Sequence, residues 1–559
     1  HAPSGSVENV AHLHFRADGK PTAWTRSAED PFLFLIATPP REVLEVEFDY
    51  LPRTRSGGRL TNALSITPAL AVIPMTQLIF YPDGVDLAAL AADLQLILPE
   101  DWTATSILPL EGSGPRRNIA SSTLADIAAS PILAARHMKC WNVGTPTLPA
   151  TLTLAADLPL ALDAPNDRID NYRALVRELA TLFAAENDAP QRPYAFLYAL
   201  SDQIHPSGVE HADGTDIRHA LRTFVDPDVE RAWADVPAHE MIHRWIGKRR
   251  PVAGLAQRDF HGALDTSLLW IYEGLTNYLG YVVATGAGQI SQASMRDQLA
   301  SLASGCQARR GRAWRSLTDT MRAAPAYFGA GPEWASDRRG ADYYDEMVLV
   351  WLDIDMRLRE HNGIHIGLDH VVANLFGGAA SAGIAVTSDE VMDALSRAAP
   401  HIDWPEYFSR HLDDIDTPAP IAGLTRAGWR LVTKSRPNAF DRNRFAMDEE
   451  LDLLGALGFS VRNDGTITDV VRDSPAANAG LVPHQRILSI GNRSFDVGTA
   501  LDEMFKDGQD VRRVRLTVKD GAFVETAELC VPAGVGFPHL ERGDGDDRLT
   551  VLLTPLHTA

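Results

Sequence analysis

The stretch His239-Glu240-Met241-Ile242-His243 decides how the rest of this 559-residue chain is read. On a helix, residues four apart share one face a turn from each other, so both imidazoles can reach a single divalent ion with Glu240 beside them. Zinc suits the pattern. Imidazole nitrogens bind it at ~2.0–2.1 Å, and a carboxylate that is not a ligand can take a proton from the water that the metal activates. With 18 His in the chain, chance supplies only about 0.04 such pentapeptides. Asp235 and Pro237 stand where a cap and a first-turn residue belong, so the helix is predicted to begin just ahead of the motif.

A catalytic zinc needs a third protein ligand and a fourth position left for water. The candidate is Glu273, thirty residues after His243 in Leu268-Leu269-Trp270-Ile271-Tyr272-Glu273-Gly274-Leu275-Thr276-Asn277-Tyr278. This segment reads as an apolar helix, in which an inward carboxylate is costly unless it is paired or metal-bound. The expected cofactor is therefore one Zn2+ per chain.

Composition narrows the partners. Lys and Arg number 52 against 73 Asp and Glu, a net charge of −21, and phosphate recognition wants a basic face, so nucleic acid is excluded. No stretch reaches the ~18–20 apolar residues of a membrane helix; residues 268–284 are broken by Glu273, Asn277 and two glycines. Cys140, Cys306 and Cys530 are odd in number and far apart, against both a disulfide framework and a Cys-based zinc cluster. A first residue of His1 rather than Met points to a removed N-terminal piece, expected to be a signal peptide, and so to a periplasmic or secreted location, with the cytoplasm as the alternative.

The length predicts three or four domains at ~100–200 residues each. Residues 1–155 alternate short apolar runs (32–36, 43–50, 77–81, 94–98) with Gly, Pro, Asp and Arg turns, the pattern of an all-β domain. From Ile169 the spacing Tyr172, Leu175, Val176, Leu179, Leu182, Phe183 is helical, and residues 194–200 read as one buried strand. Helical periodicity then dominates to His411. Pro418, Pro420 and the polar stretch 434–444 read as a linker, after which short strands return.

At these residues the chain resembles the glycyl aminopeptidase family of gluzincin zinc metallopeptidases. The resemblance rests on His239 to His243, on the following Arg244-Trp245-Ile246-Gly247-Lys248-Arg249-Arg250-Pro251, and on Trp270-x-x-Glu273-Gly274 thirty residues after the second His. It implies a multidomain α+β protein: an N-terminal β-domain over 1–155, a thermolysin-like catalytic domain with a helical C-terminal part over 156–445, a PDZ-like domain over 446–535 and a tail over 536–559.

The same resemblance implies roles for further residues. Ser207-Gly208-Val209-Glu210-His211 stands where relatives carry a Gly-x-x-Glu motif, with Ser207 in place of the first Gly, so Glu210 would bind the substrate's free α-ammonium. In Tyr343-Tyr344-Asp345-Glu346-Met347, Tyr344 aligns best with the family's oxyanion-stabilising tyrosine and Tyr343 is its rival; Glu346-Met347 replaces the usual Lys-Gly. Leu457-Gly458-Phe459, followed by Ser474-Pro475 and Ala479-Gly480-Leu481, resembles a PDZ loop whose N–H groups take a peptide C-terminal carboxylate. His484-Gln485 replaces the usual Gly-Asp there.

The implied activity is removal of N-terminal residues, Gly and Ala above all, from peptides with a free amino terminus, with His239, His243 and Glu273 as metal ligands and Glu240 as general base. Two alternatives stay open: a zinc endopeptidase indifferent to the amino terminus, and a non-catalytic peptide-binding protein that works through the PDZ-like domain.

Overall fold

The computed structural model describes residues 7–52, 63–183, 192–227, 233–256, 260–327, 333–378, 383–505 and 511–556. The organising element is a five-stranded sheet built from β1 (His137–Asn142), β2 (Ala150–Ala156), β3 (Tyr194–Leu200), β4 (Ser207–His211) and β5 (Gly214–His219) in the order β1-β2-β3-β5-β4. β2, β3 and β5 run parallel, whereas β4 is an antiparallel edge strand. β3 is buried at all seven positions, which is why Tyr-Ala-Phe-Leu-Tyr-Ala-Leu reads as a continuous apolar run rather than an alternation.

The helix α1 (Asn166–Leu182) lays Tyr172, Leu175, Val176 and Leu179 into a core shared with Leu154, Phe196 and Tyr198. Ala155, Ala195, Leu197 and Ala199 form a separate cluster with Leu70, Val72, Leu133 and Ala135 from the N-terminal β-rich region. The sheet is thereby covered on both faces. The expected N-terminal strands are present, but a boundary at residue 155 would cut β2, which pairs with β3 along its whole length. The sheet begins instead at His137, because β1 and β2 pair antiparallel from that residue.

Beyond the sheet the chain is helical: α2 (Val236–Ile242), α3 (Thr276–Gly286), α4 (Gln292–Ala308) and α5 (Asp345–Asn362). Among the described residues no helix is long and apolar enough to cross a membrane.

The stretch expected as a linker is ordered differently. β6 (Trp429–Lys434) is a strand, and α6 (Ala439–Asp448) is a helix whose cap, the buried Asn438, accepts from the Asp441 N–H. A C-terminal β-rich module follows with its own core of Leu451, Leu453, Phe459, Val461, Ile467, Ile487, Leu516 and Leu529. It rests on the helical body through Ser336 N–H to Asp469 Oδ2 at 3.0 Å, and α6 is tied to the same body through Ser301 Oγ to Asp441 Oδ1 at 2.6 Å.

In that module, β7 (Glu450–Leu453), β8 (Phe459–Arg462) and β9 (Ile467–Val470) form a sheet with β8 in the centre. The loop expected to receive a peptide carboxylate is engaged internally. N–H groups of Ala456, Leu457 and Gly458 all donate to the Leu453 carbonyl, at 3.1, 2.8 and 2.9 Å, while β7 and β9 cover both edges of the strand that Phe459 opens.

Of the expected tail over 536–559, the described part, residues 536–556, is not loose. β10 (Phe537–Arg542) pairs with β6, and a short helix over Arg548–Leu552 buries Leu549 and Leu552 in the main core. Leu556 N–H reaches Glu178 on α1 at 2.8 Å. Apolar burial and a long-range strand pairing, neither visible in composition, return this end of the chain to the helical body.

Candidate metal centre and active site

Helix α2 starts as the sequence predicts, with Pro237 in its first turn, although the Asp235 side chain makes no capping bond. The helix closes at His243, still helical at φ −58 and ψ −21, and the four-residue spacing sets the two rings at a centroid distance of 4.8 Å. Their Nε2 atoms are 3.2 Å apart. Glu273 completes the set from the facing segment: its Oε2 lies 3.3 Å from His239 Nε2 and 3.4 Å from His243 Nε2.

Trp270–Leu275 is a π-helical turn rather than the α-helix that its apolar sequence predicts, and it leads directly into α3. The wider turn turns Glu273 toward the histidines while Trp270, Ile271 and Leu275 stay in the core. On α3, a β-carbon at Gly280 would stand 3.3 Å from His239 Cβ, so the small residue lets the two helices meet closely at the ligand.

These three donors fit zinc. Donor atoms at 2.0–2.1 Å from one tetrahedral centre stand roughly 3.3–3.4 Å from each other, the separations found here. The His243 Nδ1 lies 3.1 Å from the Ile246 carbonyl, which fixes the proton on Nδ1 and turns the Nε2 lone pair toward the Glu273 carboxylate. A lone pair facing an anion is repulsive unless a cation lies between them.

Glu240 is buried beside this cluster. Burial, opposed by His239 and reinforced by Glu210 and Glu273, pushes its carboxyl up to about 8. The edge strand β4 runs alongside it, with Gly208 facing the carboxyl so closely that no side chain fits between.

Glu210, two residues further along β4, accepts from the Tyr272 hydroxyl at 2.5 Å and from Lys248 Nζ at 3.3 Å. Burial raises its carboxyl, but Lys248 and then His243 overcome this and hold it well below its ordinary value. Tyr344 stands at the N-terminus of α5, with its ring 6.3 Å from that of His239. Burial and then the neighbouring Glu273 push its phenol well above the usual value, so it remains a hydrogen-bond donor at neutral pH. Tyr343 is fully buried behind it, 5.0 Å ring to ring.

The structure thus brings His239, His243, Glu273, Glu240, Glu210 and Tyr344 to one place, 134 residues apart in sequence at the extremes (344 − 210). Leu457, Gly458 and Phe459 belong to the C-terminal module and take no part. Sequence reasoning missed the roles of Tyr272 and Lys248. Their signals were adjacency to Glu273 and position five residues after His243.

The M61 glycyl aminopeptidase family model matches residues 232–350. That span holds the three donors, Glu240, Tyr272 and Tyr344, and it begins after Glu210. The fold as a whole is similar to that of the aminopeptidase N family protein from Idiomarina loihiensis, with a TM-score of 0.78 and 16% identity over 99% of this chain and 94% of that one. An M1 zinc metallopeptidase from Deinococcus radiodurans aligns over 74% of this chain and 87% of its own, with a TM-score of 0.44 and 15% identity. The search of curated proteins found no match.

Proposed function

We propose that this protein is a zinc-dependent aminopeptidase that removes N-terminal residues, preferentially small ones such as Gly and Ala, from peptides with a free amino terminus. The observation that carries the reading is the near-equilateral triangle of His239 Nε2, His243 Nε2 and Glu273 Oε2, with the buried Glu240 beside it. The match of residues 232–350 to the M61 glycyl aminopeptidase model supports it.

In this reading His239, His243 and Glu273 hold one zinc, which when bound supplies a Lewis acid and lowers the pKa of water. Glu240 takes a proton from the attacking water as the new C–O bond forms, and delivers it to the amide nitrogen as the C–N bond breaks. Tyr344 donates its hydroxyl hydrogen to the carbonyl oxygen as negative charge develops there, an interaction strongest in the transition state. Glu210, on the edge strand, holds the substrate's α-ammonium and so counts residues from the amino end. In the same reading the C-terminal module is a PDZ-like domain.

The test is a metal-stripped and zinc-restored assay on free and N-acetylated copies of one Gly-started peptide. Turnover is expected only with zinc and strongly favours the free peptide. Equal cleavage of both copies would replace this reading with an endopeptidase, and zinc-independent turnover would remove the metal from it.

A further inference from the structure

Glu210 offers its two oxygens unequally. Tyr272 and Lys248 both donate to Oε1, at 2.5 and 3.3 Å, and among the described residues no donor reaches Oε2. The arrangement depends on Gly247. Its φ of +114 is open to glycine and strained for other residues, and a β-carbon there would stand 2.3 Å from Tyr272 Cε2. The chain can therefore turn flat against the Tyr272 ring as it leaves α2, with the Lys248 N–H on the His243 carbonyl at 3.1 Å and its ammonium on Glu210.

The two donors contribute different things. Tyr272, buried and neutral, fixes the direction of the carboxylate without changing its charge. Lys248, about 30% exposed, adds a full positive charge beside a carboxylate about 25% exposed. A cationic amino terminus arriving at Oε2 is drawn to Glu210 and repelled by Lys248 at short range, whereas a neutral amide terminus feels neither strongly.

We propose that Lys248 is a specificity-determining residue: by offsetting the Glu210 charge it sets how strongly a cationic amino terminus is bound. The proposal rests on the aminopeptidase reading of Glu210. Its chemical logic includes the product. A released amino acid keeps the same α-ammonium, so an anchor without an opposing charge would hold product more tightly as well and slow its release.

The experiment compares parent, Lys248→Met, Lys248→Arg and Glu210→Ala, each zinc-loaded, on free and acetylated Gly-peptides and with glycine as a competitive inhibitor. Lys248→Met is expected to lower KM for the free peptide and Ki for glycine by the same factor, roughly three- to tenfold for one like charge at a partly exposed site. KM for the acetylated peptide should stay within twofold, and Lys248→Arg should restore parental values.

An equal fall in kcat/KM for both peptides, not restored by Lys248→Arg, would make Lys248 a structural residue and overturn the proposal. Unchanged KM and Ki in Lys248→Met would overturn it as well. Failure of the underlying reading has a separate signature: Glu210→Ala would then keep the parent's preference for the free peptide, whatever Lys248→Met does.

Discussion

A β-carbon on Gly208 would stand 2.3 Å from the Glu240 carboxyl oxygen Oε1, closer than any real contact of that kind. The edge strand and the proposed general base are thus fitted to each other at the one residue of β4 that has no side chain. The nearest atoms, the Glu240 oxygen and then Val236 Cγ1 at 2.9 Å, both belong to side chains and none to the backbone, so Gly208→Ala should move the carboxyl rather than break the fold. Misplacing a reacting group by about 1 Å costs on the order of 10²-fold. The variant is expected to keep its zinc and its melting temperature within a few degrees, while kcat falls roughly 10–10²-fold. Parental kcat would show that Glu240 needs no such close placement.

Glu240→Gln isolates the proton-transfer role, because it preserves shape and leaves the three donors untouched. Zinc content should remain at one per chain, with kcat down by the ~10²–10⁴ that a lost general base costs. Turnover within a few-fold of the parent would assign the base elsewhere.

His243→Ala removes one corner of the donor triangle and leaves an Ile246 carbonyl without its imidazole partner. Metal analysis after dialysis should find far less than one zinc per chain, and turnover should vanish with it. Stoichiometric zinc in this variant would break the ligand assignment.

Asp441 predicts a pH dependence of stability. Burial, with Asp452 adding and the Ser301 hydroxyl opposing, pushes its carboxyl from 3.8 up to about 7. The folded state holds the proton more tightly than the unfolded chain, so this contribution is full below about pH 3.8 and is lost as pH rises through about 7. Asp441→Asn keeps an acceptor for Ser301 and cannot ionise. Relative to the parent, its melting temperature should therefore rise between pH 5 and pH 8; parallel curves would show that Asp441 titrates normally.

The donor set was legible in the sequence because two of its members are a helix turn apart and the third is a carboxylate in an apolar run. The rest of the site depends on geometry that no local pattern records. Lys248 reaches Glu210 only because Gly247 adopts a left-handed φ, and Glu210 lies beside Glu240 only because β4 pairs at the sheet's edge. Residues 537–542 contain Pro538 and two charged residues, which masks a strand whose partner β6 lies over a hundred positions earlier. The stretch 434–444 was misread for a related reason. Its polarity resembles a linker, yet Asn438 is buried and bonded to the Pro538 carbonyl at 3.0 Å.

The π-helical turn at Trp270–Leu275 has a consequence for how such a chain can change over time. Size-conserving replacements of its core residues leave the backbone path intact, but the loss of a single residue would close the turn to an α-helix. Because the wide turn already takes up that extra residue, α3 would keep its phase and Gly280 its place against His239, while the side chains presented by the turn itself, Glu273 among them, would be re-aimed. A deletion here would leave a folded chain with its third donor misplaced.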